Sequence, residues 1–334
     1  MAEPFTPFVE IDSNPAPARL TGGSIALRNR KRLRYAIAQP AGYSRGTVLL
    51  LQGRNETIEK YFETISDLTA KAFTVVTFDW RGQGGSDRLV RNPAKGHVGS
   101  IEAYVEDLLT VLDEVVVAKC RRPYVVLGHS TGGLVALTAM PRIADRIDRI
   151  VLSAPFLGLP HAAGGRALPA LSRLLTWTGY GRLAVRRTKG GARNSLEFNP
   201  LTSDPTRFAR NRDLAQAAPH LFVPTITASW MYAMSRAMRR LDDSDVIAEL
   251  QIPTLIVTAG ADRVVRSDLA ERLAWRMRSG HSLSLPGARH ELLQERDLHR
   301  APFLAAFEAF VGAMMPIPVE PPPLQLTEAD LVIS

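Results

Sequence analysis

One cysteine, Cys120, stands in a chain of 334 residues. A lone thiol excludes an internal disulfide and suits a reducing compartment. Beside Arg121 and Arg122, at the end of an expected helix, Cys120 reads as a helix-end residue without a role. Long apolar stretches are missing too. No run reaches the roughly 18 uncharged apolar residues that a membrane-spanning helix needs. The start, Met1-Ala2-Glu3-Pro4-Phe5-Thr6-Pro7, has no basic-then-apolar leader, so a cytoplasmic place is expected rather than export. No Gly-Lys-Ser/Thr closes a glycine-rich loop, which excludes a phosphate-cradling P-loop. The formal net charge is +8. No helix-turn-helix, zinc or aromatic-basic pattern accompanies it, so nucleic acid is not an expected partner. An anionic substrate, an anionic membrane surface such as the inner membrane, and a general basic bias remain as readings of that charge.

The hydropathy pattern then gives an architecture. Residues 1–20 are proline-rich and expected to be loosely held. Residues 23–38 alternate apolar and polar around a basic turn, as an antiparallel hairpin does. Gly46 to Leu51, Phe73 to Phe78, Tyr124 to His129, Ile147 to Leu152 and Pro253 to Thr258 are short apolar runs, typical of strands buried on both faces. Ser282 to Leu285 reads as one more strand. Helical spacing separates them at 57–71, 101–119, 266–278 and 297–314. Strands alternating with helices predict a mostly parallel sheet covered on both faces, an α/β fold. The rhythm breaks at 156–245, where Gly and Pro clusters, amphipathic stretches and arginines replace strong strand signals. That segment is expected to be a helical lid inserted into a core of 21–155 and 246–315. Residues 316–334 form a Pro-rich tail.

The most informative stretch is Gly128-His129-Ser130-Thr131-Gly132. It fits G-x-S-x-G, and it lies between a β-rich apolar run and the helical pattern Leu134-Val135-Ala136-Leu137. In that context the pattern predicts a nucleophile elbow, with Ser130 at the apex of a strained strand-to-helix turn. The amide of Thr131, at the helix N-terminus, then faces a developing oxyanion. A serine nucleophile needs a base, and the base an orienting carboxylate, in the chain order Ser, acid, His. Asp262 ends the strand before the last helix pair. Asp242, Asp243 and Asp245 form an exposed-looking cluster, and Asp268 reads as a helix-start charge. Among the later histidines, His161 and His220 fall in the insertion, His281 opens a strand and His299 lies on a helix. His290 follows a strand in the glycine-containing loop Pro286-Gly287-Ala288-Arg289, where an imidazole can reach over the sheet edge. A second oxyanion donor is expected from the loop Gln52-Gly53-Arg54-Asn55, at the amide of Arg54. The Arg54 side chain is open to two readings, a substrate phosphate or an acid on the scaffold. Arg81 is expected to tie loops together through carboxylates, and His97 to be a structural hydrogen-bonding residue.

These residues together resemble the bacterial lysophospholipase and monoacylglycerol lipase-like branch of the α/β-hydrolases. The resemblance is carried beyond the triad by Asp79-Trp80-Arg81-Gly82-Gln83-Gly84-Gly85-Ser86, similar to D-x-R-G-x-G-x-S, and by Gly96-His97-Val98. Ala259-Gly260-Ala261-Asp262-Arg263-Val264-Val265 is similar to that branch's acid loop. It implies an α/β-hydrolase fold and a serine hydrolase that cleaves carboxylic esters of single-chain lipids, a lysophospholipid or a monoacylglycerol. That chemistry needs no cofactor and no metal. Gln52-Gly53 replaces the His-Gly of many monoacylglycerol lipases. A serine at the elbow argues against the dehalogenase and epoxide-hydrolase branches. The rival readings are another lidded serine esterase or peptidase, and a non-catalytic binding protein on the same scaffold.

Overall fold

The computed structural model describes residues 5–28, 30–160, 167–187 and 195–312. The apolar runs become strands β1 (Leu20–Ala26), β2 (Arg32–Ala38), β3 (Gly46–Leu51), β4 (Phe73–Phe78), β6 (Tyr124–His129), β7 (Arg149–Ser153), β10 (Thr254–Ala259) and β11 (Gly280–Leu285). They form one sheet in the order β1-β2-β4-β3-β6-β7-β10-β11. β2 runs antiparallel to its neighbours, and every pair from β4 to β11 is parallel. All six residues of β3, β4, β6 and β10 are buried. Continuous apolar sequence is what a strand covered on both faces requires. The covering helices are α1 (Phe62–Ala70), α2 (Ile101–Val111), α3 (Thr131–Ile143), α8 (Ser267–Arg276) and α9 (Asp297–Gly312). Two apolar clusters lie on the two faces of the sheet, one around α2 and α3 and one around α1 and α9. The chain is therefore an α/β-hydrolase fold with a mostly parallel central sheet flanked by helices.

Three expectations need correction or limits. Residues 5–19 are not loose. Phe8 packs on Phe62, the Asn14 side chain is buried and donates to the Glu59 carbonyl, and Arg34 donates to the carbonyls of Thr6 and Pro7. Proline prevents this stretch from forming a regular element, but its aromatic and polar groups still find partners. The stretch 156–245 holds helices α4 (Ala167–Trp177), α5 (Pro205–Ala217) and α6 (Ala228–Arg240), and α7 (Ser244–Ala248) begins at its end. It also holds two short strands, β8 (Ala184–Arg187) and β9 (Thr225–Thr227), which join β5 (Lys95–Gly96) in a separate three-stranded sheet. Strands of two to four residues are too short to show a period in sequence. The Pro-rich tail, residues 313–314 of the expected last helix, His161, Arg166 and Arg193 lie outside the described residues. Among the described residues no helix is long and apolar enough to cross a membrane.

Candidate active site

Ser130 sits between β6 and α3 with φ 49° and ψ −112°, a backbone region that a non-glycine residue rarely adopts. The turn is held in place by its own backbone. Ser130 N–H donates to Ser153 O at 3.0 Å, and Ser130 O accepts from Phe156 N at 3.0 Å. Gly132 has to be glycine because a Cβ there would collide with the Leu51 carbonyl at the end of β3. Strain of this kind persists only where the surroundings over-determine it. It leaves the Ser130 hydroxyl at the sheet's C-terminal edge, above the first turn of α3.

His290 follows β11 and meets Ser130 there. Its Nε2 lies 3.1 Å from Ser130 Oγ, and its Nδ1 lies 2.7 Å from Asp262 Oδ2. Asp262 follows β10. Its second oxygen, Oδ1, accepts the amides of Val264 at 2.7 Å and Val265 at 2.9 Å. Burial pushes the Asp262 carboxyl upward, but His290 and the two amides outweigh it and hold it below the usual aspartate value. Asp262 is thus anionic and fixed, and its one free edge faces the imidazole. With Nδ1 donating to Asp262, Nε2 is left as the acceptor for the serine proton. The other candidates stand apart. Asp268 pairs with Arg266, Asp243 caps α7, His281 is exposed, and the His220 carbonyl accepts from Arg88.

Thr131 opens α3, so its amide has no acceptor within the helix. Both neighbours of Arg54 are pinned. The Gly53 amide donates to Glu56 Oε2 at 2.5 Å, and the Asn55 amide to Gln83 Oε1 at 2.7 Å. The Arg54 side chain reaches the insertion, donating to the Val223 carbonyl at 3.0 Å and lying 6.0 Å from the centre of the Trp230 ring. Trp230 stacks on Phe156, whose amide holds the Ser130 carbonyl. Arg81 binds Asp107 through Nε and Nη2, and His97 Nδ1 lies 3.1 Å from Thr227 Oγ1.

Sequence reasoning missed a buried charge cluster behind the imidazole. Lys60 Nζ lies 2.7 Å from Glu56 Oε1 and 2.6 Å from Glu291 Oε1. Tyr61 donates to Glu56 Oε2 at 2.6 Å. Burial opposes the charge on Glu56, but Lys60 and His129 bring its pKa down to about 2. Burial would lower the Lys60 pKa as well, but Glu291 and Glu56 raise it above its usual value. Burial and Glu56 push the Glu291 pKa up. His129, at the variable position before Ser130, packs 5.0 Å from the His290 ring. Burial brings its pKa down to about 4, so it is neutral. The cluster joins the loop of Gly53 to the loop of His290. The available signal was Glu56 and Lys60 one helical turn apart beside the apolar Ile58, Tyr61 and Phe62, where charge has to be paired to be buried.

The sheet order, the serine on a strained strand-to-helix turn, and an acid and a histidine after later strands define the α/β-hydrolase class. The chain belongs to the Hydrolase_4 family, described as serine aminopeptidase, S33, whose model matches residues 42–297. It is 30% identical over 281 residues to lysophospholipase L2 of Escherichia coli strain K12, covering 79% of each chain. It is 29% identical over 287 residues to a Haemophilus influenzae protein named probable lysophospholipase L2, covering 85% of this chain and 90% of that one. A monoacylglycerol lipase of Mycolicibacterium smegmatis is 25% identical over 266 residues, with 79% of this chain and 88% of that one covered. In fold it matches a soluble variant of Saccharomyces cerevisiae monoglyceride lipase at a TM-score of 0.72 and 18% identity, covering 91% of this chain and 98% of that one.

Proposed function

We propose that the protein is a serine hydrolase that cleaves carboxylic esters of single-chain lipids, a lysophospholipid or a monoacylglycerol, through an acyl-enzyme. That it is an ester-hydrolysing α/β-hydrolase follows from its family and its lysophospholipase and monoacylglycerol lipase relatives. The observation that carries the serine mechanism is the pair of contacts at His290, 3.1 Å to Ser130 and 2.7 Å to Asp262. In this reading Ser130 Oγ attacks the ester carbonyl while His290 Nε2 takes its proton. The negative charge on the carbonyl oxygen is met by the amides of Thr131 and Arg54. His290 then gives its proton to the leaving alkoxide, and the alcohol departs. Water, deprotonated by the same nitrogen, attacks the acyl-serine; as the acyl–Oγ bond breaks, that proton passes from His290 Nε2 to Ser130 Oγ and the fatty acid is released. Asp262 holds the tautomer and stabilises the imidazolium.

Substrate choice is assigned to the insertion, read as a lid. Leu171, Leu174 and Trp177 on α4, with Tyr180, Leu183 and Phe198, are exposed apolar side chains of that segment. Arg173 and Arg182 lie among them in sequence. Exposed apolar side chains interspersed with arginines suit an acyl chain presented at an anionic lipid surface, and this supports the reading of peripheral membrane contact. The family description favours a second reading, a peptidase.

The test is a hydrolysis panel of lysophospholipids, monoacylglycerols, short soluble esters and N-terminal peptide amides, with Ser130→Ala as control. The expected result is ester turnover highest on single-chain lipids and reduced by on the order of 10⁴-fold or more in Ser130→Ala. Amide turnover above ester turnover would make the protein a peptidase instead.

A further inference from the structure

The loop that presents His290 is gripped on both sides by residues 196–203 of the insertion, some 90 residues earlier in the chain. On one side, Arg289 Nη1 approaches three carbonyls, those of Leu196 at 2.8 Å, Asn199 at 2.7 Å and Thr202 at 2.9 Å. On the other, the Glu291 amide donates to Leu201 O at 2.8 Å. The His290 amide itself points at Pro200 O, 3.5 Å away. Beneath them sits Glu295, fully buried. Its Oε1 accepts the Arg289 amide at 2.8 Å, and its Oε2 accepts Ser203 N at 3.1 Å, Ser203 Oγ at 2.6 Å and Arg296 N at 2.9 Å. Thr202 Oγ1 donates to Gln294 O at 2.6 Å.

The segment is shaped for this contact. The Asn199 side chain is buried. It donates to Thr202 O at 3.3 Å and accepts the Leu201 amide at 3.1 Å, folding the chain so that its carbonyls converge on one guanidinium. Burial pushes the Glu295 carboxyl up, but the Ser203 hydroxyl and the three amides hold it below its usual value. It therefore stays an anion and holds all four donors. The Arg289 amide belongs to the histidine loop and both Ser203 donors to the insertion, so the carboxylate ties one to the other, while the fourth donor, the Arg296 amide, is its own chain neighbour.

We infer that residues 196–203 are a positioning strap for His290, acting through Arg289 and Glu295, so that the insertion sets the alignment of the imidazole with Ser130. The inference rests on the reading of Ser130, His290 and Asp262 as the catalytic groups. Neither Arg289 nor Glu295 touches Ser130. Their effect passes through the backbone on either side of His290. A hydrogen bond of 3.1 Å between base and nucleophile tolerates little displacement, and a misplacement of about 1 Å can cost on the order of 10²-fold in rate.

The experiment compares Arg289→Ala, Arg289→Lys and Ser203→Ala with wild type on a soluble chromogenic ester, where lipid binding plays no part. Four quantities are read: kcat, KM, the rate of Ser130 labelling by a fluorophosphonate, and amide hydrogen exchange across 196–203. Arg289→Ala is expected to lower kcat and the labelling rate together by about 10²-fold. KM should stay within about twofold, because uniform binding is untouched. Arg289→Lys, which can still donate to the carbonyls, should recover most of the loss. Ser203→Ala should give a smaller loss in the same direction, and it is the variant to read if Arg289→Ala fails to fold. Faster exchange across 196–203 with kcat and labelling unchanged would overturn the inference. So would a loss confined to KM, or a loss that lysine does not relieve. Full turnover by Ser130→Ala in the same assay would instead overturn the assignment of the catalytic serine.

Discussion

Replacing Lys60 by methionine is the sharpest perturbation the buried cluster offers. The ammonium lies within 2.7 Å of Glu56 and 2.6 Å of Glu291, and all three side chains are buried. Methionine fills much of the same volume without charge. Two carboxylates are then left facing each other without a cation. Removing one partner of a buried ion cluster costs about 3–5 kcal/mol. At roughly 2 °C per kcal/mol for a large domain, the melting temperature should fall by about 6–10 °C. The pH dependence is the stricter check. Glu56 titrates at about 2 in the folded protein against an ordinary 4.5, so it contributes stability above pH 4.5 that is lost as pH falls towards 2. Without Lys60 its folded pKa should rise above 4.5. The folded variant then favours the protonated acid and loses stability as pH rises towards neutrality. Between pH 5 and pH 8 the gap in melting temperature between wild type and Lys60→Met should therefore widen as pH rises. Differential scanning fluorimetry at several pH values reads this directly. A gap that is constant with pH, or a drop of under about 2 °C at pH 8, would refute the charge-cluster reasoning. Because Glu56 also holds the Gly53 amide beside Arg54, kcat of the folded variant should fall as well, and Lys60→Arg should restore part of it.

Two further outcomes are expected. Asp262→Asn and His290→Ala should each approach the inactivity of Ser130→Ala, and the double variant of His290→Ala with Ser130→Ala should be barely slower than Ser130→Ala alone. Groups that act as one unit do not give additive losses, so additive kcat values from steady-state assays would show that the wrong base was chosen. If the basic residues of the insertion draw the protein to anionic lipid, hydrolysis of anionic lysolipid vesicles should decline as salt shortens screening to about 8 Å near physiological ionic strength. Hydrolysis of a neutral soluble ester should hardly change, and equal salt sensitivity of the two would remove recruitment from the account.

The parts of this molecule that were legible in sequence are those whose physics is local. β3, β6 and β10 announce themselves because a strand buried on both faces has to be continuously apolar. Ser130, Asp262 and His290 could be picked out because Ser130 directly follows such a strand and the other two lie in the loops after β10 and its neighbour β11. The structure brings these three within hydrogen-bond distance. What escaped is non-local. Nothing around Glu56 and Lys60 reveals that Glu291, more than 200 residues later, completes their cluster. Arg289 looks like any loop arginine until residues 196–203 fold their carbonyls around it. Phe5 and Phe8, in a proline-rich start, gave no periodic signal, although their rings pack together and Phe8 lies on Phe62.

The proposed mechanism stands or falls with Ser130 as the nucleophile. The direct measurement is titration with a fluorophosphonate, followed by peptide mass spectrometry and residual lysophospholipid and monoacylglycerol hydrolysis on the same samples. One adduct per chain is expected, located on Ser130, with activity lost in proportion to labelling and no adduct on Ser130→Ala. An adduct on another residue that tracks the loss of activity, or hydrolysis that persists when Ser130 is fully labelled, would contradict it.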